Sequence, residues 1–165
     1  FKKVPKKYLD YSKFNLVIHG SNLPYGKGMS PISWQILQGE NRIVFTLFEA
    51  NENFDEGKYY LKKNVNFGKT SLLKKIKEIQ FREMLNIYVK FLNNMKKIKL
   101  KEQKGASTYF RYRTPNDSMI DVNKSIKDQF NLLRVVDNEN YPAFFIYKNK
   151  RFKIQIIEDD KNSSK

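Results

Sequence analysis

The sequence predicts an α/β chain: a parallel-type sheet with helices over residues 1–104, then a small α+β unit of one helix and a β-hairpin over 105–165. Three observations carry this. Phe14 to Ile18 is an apolar run without alternation, the mark of a strand buried on both faces. Leu72, Ile76, Ile79, Leu85, Tyr88, Leu92 and Met95 recur mostly three and four apart with lysines between them, as an amphipathic helix against a sheet requires. Lysine-rich residues 96–108 run into Gly105-Ala106-Ser107 and mark a boundary, after which one helical and two short strand patterns follow.

In chain order, Pro5 restricts Val4 to extended geometry, and Tyr8, Leu9 and Tyr11 fit one helical turn. The first strand leads directly into His19, the single histidine, and then into a loop over 20–30 rich in Gly, Ser, Asn and Pro. Ser30 before Pro31 reads as a helix start, with Ser as N-cap and Pro in the first turn; Gly39 stops that helix after about Gln38. Ile43 to Ala50 is β-branched and aromatic, a second strand, and residues 51–57 form a polar turn. Lys58 to Phe67 makes a third strand, and the long helix begins at Thr70 or Ser71. Gly68-Lys69-Thr70 is no phosphate loop, because position 63, where that motif needs a glycine, is Lys. Ile126, Phe130, Leu133 and Val136 predict a second helix capped by Asp121 or Asn123. Ala143 to Tyr147 and Arg151 to Ile157 pair as a hairpin about Lys148-Asn149-Lys150, and the tail from Glu158 is polar and frayed.

The absence of cysteine excludes disulfides, thiolate metal sites and cysteine nucleophiles, and a single histidine excludes a multi-histidine metal site. No apolar run reaches the length of a membrane span and no signal peptide is visible, so the expected location is the cytoplasm. The net charge of +15 is uneven: residues 56–104 carry 14 basic and 4 acidic groups, away from His19. Only six of the 32 basic residues are arginine, which favours a lysine-biased composition over a dedicated nucleic-acid surface.

His19-Gly20-Ser21-Asn22-Leu23-Pro24 with Gly28, then Pro31-Ile32 and Trp34-Gln35, resembles the active-site segment of the folate-dependent formyltransferases, whose pattern there is Asn-x-His-x-Ser-Leu-Leu-Pro. Thr46-Leu47-Phe48-Glu49 followed by Phe54-Asp55-Glu56-Gly57 resembles the family's Leu-Asp-Thr-Gly turn, which carries a catalytic aspartate. The resemblance implies a partial Rossmann-like formyltransferase domain that lacks the family's preceding α/β half, so the chain reads as a fragment beginning mid-domain. It implies 10-formyltetrahydrofolate as formyl donor, no metal, and catalytic roles for His19 and Asp55. His19 would stabilise the oxyanion or relay the amine proton, and Asp55 would orient it and favour its charged form, or shuttle protons through water. Ser21, Asn22, Leu23 and Pro24 would line the folate site. The family's catalytic Asn, two residues before the histidine, is here Val17, which cannot donate to an oxyanion; losing one such donor costs ~10²–10³ in rate. Asn22 is a substitute donor to consider.

Tyr109-Phe110-Arg111-Tyr112-Arg113-Thr114-Pro115-Asn116-Asp117-Ser118, with Asn131 to Val136 and Tyr141 to Phe145, is similar to the tail of sugar N-formyltransferases. This implies a nucleotide-linked amino sugar as the acceptor, with Arg111 and Arg113 as a clamp on its diphosphate. Methionyl-tRNA is the second acceptor, a catalytically silent basic binding module the third reading, and a homodimer an assembly left open.

Overall fold

The computed structural model describes residues 4–159. The elements run α1 (Lys6–Leu9), β1 (Leu16–His19), β2 (Lys27–Gly28), α2 (Pro31–Leu37), β3 (Arg42–Glu49), β4 (Tyr59–Asn66), α3 (Leu73–Asn94), β5 (Tyr109–Phe110), α4 (Phe130–Arg134), β6 (Ala143–Tyr147) and β7 (Lys150–Ile154).

The central sheet has the order β1-β3-β4. The α/β character stands, but the expected parallel pairing does not: β3 runs antiparallel to both β1 and β4. A parallel return needs a crossover of a dozen residues or more, and the link from Glu49 to Tyr59 is too short for one. Parallel pairing occurs instead between the two-residue strands β2 and β5. That pairing folds the chain after the lysine-rich stretch back over the loop that follows His19. The N–H of Lys27 donates to Thr108 O (2.9 Å) and that of Met29 to Phe110 O (3.0 Å).

β3 is the central strand, and Ile43, Phe45 and Leu47 are almost fully buried beneath α2 and α3. Side chains of this kind each stabilise the fold by roughly 1.5–3 kcal/mol through burial alone. α3 contributes Ile76, Ile79, Ile87 and Phe91, and the Phe91 ring lies 4.8 Å from that of Tyr60. Leu85, Leu92 and Met95, expected on the packed face, are exposed. They share a second apolar stripe with Phe81 and Val89, and the apolar arc is broader than one sheet can cover. No helix among the described residues is long and apolar enough to cross a membrane.

A second cluster gathers Ile120, Leu133, Val136 and Ala143. Fully buried Arg134 joins it to the first: Nε donates to Ser71 O (3.2 Å), Nη2 to Gly68 O (2.6 Å) and Nη1 to Asn131 Oδ1 (2.9 Å).

Smaller expectations also shift. Pro31 does open α2, but Ser30 makes no capping bond; its φ of +51° turns the chain out of β2 instead. The second helix is confined to Phe130–Arg134, and Ile126 is exposed. Asp121 and Asn123 do not cap it: Asp121 Oδ1 accepts from the N–H of Asn123 in a local turn. The terminal hairpin closes through Lys148 and Asn149, both at positive φ, the geometry of a two-residue turn. Of the tail expected to fray, residues 160–165 lie outside the described part.

Candidate active site

Two short elements bring a histidine and an aspartate together. His19 is the last residue of β1, and Asp55 sits in the turn between β3 and β4. His19 Nδ1 lies 3.6 Å from Asp55 Oδ1. The other ring nitrogen, Nε2, is 2.8 Å from Gly26 O. A carbonyl only accepts, so Nε2 carries a hydrogen and Nδ1 is the nitrogen free to exchange a proton. Asp55 Oδ2 accepts the Gly28 N–H at 2.8 Å, which leaves Oδ1 to face the imidazole.

The loop that makes this possible is braced from several sides. Thr46 Oγ1 donates to Ser21 O (2.6 Å), Ser21 Oγ to Tyr25 O (2.7 Å), and the Gly26 N–H to Thr108 Oγ1 (2.8 Å). Buried Lys27 reaches Glu56 Oε1 at 3.1 Å and holds that carboxyl below its ordinary range. At the base of the turn, the Glu49 carboxylate accepts from the Asn15 N–H (2.6 Å) and from Tyr60 Oη (2.7 Å). Burial, then the neighbouring carboxylate, pushes the Tyr60 phenol up to about 12. Gly57 has no alternative there, since a Cβ would stand 1.5 Å from Glu49 O.

The pair opens into a cleft of about 710 Å³. Val17, Ile18, Ile32, Phe48 and Met29 supply its apolar lining, and Leu73, Ile76 and Gln80 of α3 line it too. Val17, where the family pattern has Asn, is 38% exposed and gives that wall a methyl surface.

The other residues singled out from sequence are not brought to this cleft. Ser21, Leu23 and Pro24 are buried behind the loop, and Asn22 is turned outward with its amide oxygen 2.7 Å from Lys62 Nζ. Lys62 also donates to Leu23 O at 2.6 Å, which braces this loop from β4. Arg111 and Arg113 do not line the cleft either. The Arg111 guanidinium forks onto Asp117 and lies 4.8 Å over the Trp34 ring. Arg113 donates to Val135 O (3.0 Å) and to Asp117 O (3.3 Å). Both guanidinia are held by the protein, Arg113 through its two terminal nitrogens with Nε left unpartnered, while the Arg111 side chain stays exposed.

Sequence reasoning missed Gln103. Its Nε2 donates to Asp55 O (2.9 Å) and Gly57 O (2.7 Å), yet it lies in the lysine-rich stretch taken for a boundary. An uncharged amide among Lys99, Lys101 and Lys104 was the one available signal.

Residues 2–91 match the family described as "Formyl transferase". The chain is 30% identical over 148 residues to the bifunctional polymyxin resistance protein ArnA of Wigglesworthia glossinidia brevipalpis, which is 88% of this chain and 22% of ArnA. It is 28% identical over 159 residues to the methionyl-tRNA formyltransferase of Thermodesulfovibrio yellowstonii, 93% of this chain and 50% of that protein. It therefore spans half or less of the length of these curated relatives. Among solved structures, the methionyl-tRNA formyltransferase from Clostridium thermocellum superposes with a TM-score of 0.75 at 22% identity, covering 96% of this chain and 69% of that one. A 4-N formyltransferase from Francisella tularensis gives 0.75 at 18%, covering 94% and 66%. HypX from Aquifex aeolicus in complex with tetrahydrofolic acid gives 0.76 at 18%, covering 94% and 28%. At these identities the solved structures share a fold with the chain.

Proposed function

Because the chain belongs to the formyl transferase family, we propose that it carries the transfer centre of an N-formyltransferase that moves a formyl group from 10-formyltetrahydrofolate to the amine of a nucleotide-linked amino sugar. The observation that supports this reading best is the approach of His19 Nδ1 and Asp55 Oδ1 to 3.6 Å at the mouth of an apolar cleft. An apolar wall of Val17, Phe48 and Ile32 beside one proton-exchanging pair suits a donor with an aromatic body and an amide to be attacked. When bound, the donor supplies an activated formyl carbon.

The protein's share of the reaction is proton handling and placement. The acceptor nitrogen must be neutral to attack, and it sheds a proton as its bond to carbon forms. His19 Nδ1 takes that proton, because Gly26 O holds Nε2 as a donor throughout. The imidazolium then faces Asp55 and returns the proton to the departing nitrogen of the donor, so no proton is gained or lost overall. The apolar side chains beside the pair lower the local dielectric and so strengthen these interactions.

A second acceptor, methionyl-tRNA, is favoured by the likeness to methionyl-tRNA formyltransferases over most of this chain. Formyl transfer by the full-length protein, measured with nucleotide amino sugars and with charged tRNA, separates the two. His19→Ala is expected to lower the rate ~10²-fold or more. Transfer undiminished in that variant overturns the assignment.

A further inference from the structure

We propose that Gln103 is a positioning residue that holds the Asp55 carboxylate opposite His19, a role that rests on reading this pair as the transfer centre. Asp55 sits at φ +55°, a left-handed conformation that aspartate tolerates but does not prefer. The β3–β4 ladder cannot enforce it, since its last bond toward the turn runs from the Glu49 N–H to Lys58 O. Enforcement comes from another segment. Lys101 docks on Tyr59 through a reciprocal pair of backbone bonds, each 2.9 Å, and this delivers Gln103 to the turn.

The amide nitrogen of Gln103 has two hydrogens, and the carbonyls of Asp55 and Gly57 take one each. The amide's orientation is fixed by chemistry, because the flipped form would set an oxygen against two carbonyl oxygens. Its own Oε1 is buried with no hydrogen-bond partner. A buried acceptor left unmet is destabilising, and an aliphatic side chain of similar length would fill the space without that penalty. The value of an amide here therefore lies in the two carbonyls it holds. With both pinned, the backbone sends Oδ2 to the Gly28 N–H and leaves Oδ1 directed at the imidazole. Released, the turn can relax out of the left-handed region and carry Oδ1 away from His19.

The single histidine makes this directly measurable, because its ring nitrogens give the only imidazole signals in a ¹⁵N spectrum. Gln103→Met keeps the length of the side chain and removes both donors. At fixed pH its imidazole ¹⁵N shifts are expected to move most of the way toward those of Asp55→Asn. Asn138→Ala is the control: it removes a pair of side-chain bonds to the Ile156 backbone and is expected to leave the imidazole shifts at their wild-type values. The proposal fails if Gln103→Met overlays the wild-type imidazole signals, or if Asn138→Ala moves them as far. Should Gln103→Met not fold, Gln103→Glu, which sets an oxygen where the donor stood, is read by the same two criteria. No formyl donor enters the measurement, so a chain that transfers nothing still tests Gln103.

Discussion

The turn at 51–57 and the segment at 111–118 look alike in sequence, each setting an aspartate among polar residues. The structure uses them in opposite ways. Asp117 is saturated: Arg111 forks onto both its oxygens, and Thr114 adds its N–H (2.6 Å) and its hydroxyl (3.1 Å). The Arg111 bond, and after it the Thr114 donors, hold its carboxyl far below the usual range against a smaller effect of burial. Asp55 accepts one backbone N–H on Oδ2 and presents Oδ1 to a proton-exchanging ring. A carboxylate whose acceptors are all filled locks a loop. One left half-filled beside a histidine is equipped for chemistry.

The contrast is tested most severely at the base of the first turn. Gly57→Ala drives a methyl into Glu49 O and is expected to destabilise the fold by about 4 kcal/mol or more, read from denaturant unfolding. Next comes the half-filled carboxylate itself. Asp55→Asn is expected to lower any measured formyl transfer ~10²-fold with little change in melting temperature. The saturated carboxylate should behave in reverse: Asp117→Asn leaves transfer intact and lowers stability at neutral pH by about 1–2 kcal/mol, since Arg111 is largely exposed. Its folded pKa is depressed, so its contribution is whole above the unfolded value near ~4 and is lost as pH falls toward the folded one. Unfolding of the variant between neutral pH and about pH 2 should therefore show a flatter acid limb than wild type. The smallest effect is expected of Arg111→Met, which does not line the cleft: transfer within about threefold of wild type. A large loss of acceptor affinity in that variant would return the arginine to the substrate.

What the sequence made legible was local. The apolar run into His19, the aromatic strand before the 51–57 turn, the long lysine-studded helix and the terminal hairpin are all written in periodicity and turn residues. The meeting of His19 with Asp55 came from the resemblance, because no spacing along the chain specifies that contact. Long-range placement was illegible for physical reasons. An apolar run does not fix strand direction or which faces are covered: β1 runs antiparallel to β3, and Val17 leaves one of its faces exposed. Leu85 and Leu92 fit the helical period, but which apolar arc meets the sheet is a tertiary outcome. That Arg111 meets Asp117 and Arg113 the Val135 carbonyl was equally illegible, because these partners reach them only in the fold. Gln103 offered only one uncharged amide among lysines, and nothing along the chain says that its segment returns to the Asp55 turn.

Arg134 gives the molecule a mechanical character. Its guanidinium is sealed between the start of the long helix and the short one, and parting them would strand several charged donors away from water. A seam of that kind does not act as a hinge. The two clusters should lose structure together in one thermal step, and rearrangement around a bound ligand falls to loops and side chains, with no rocking of one lobe against the other.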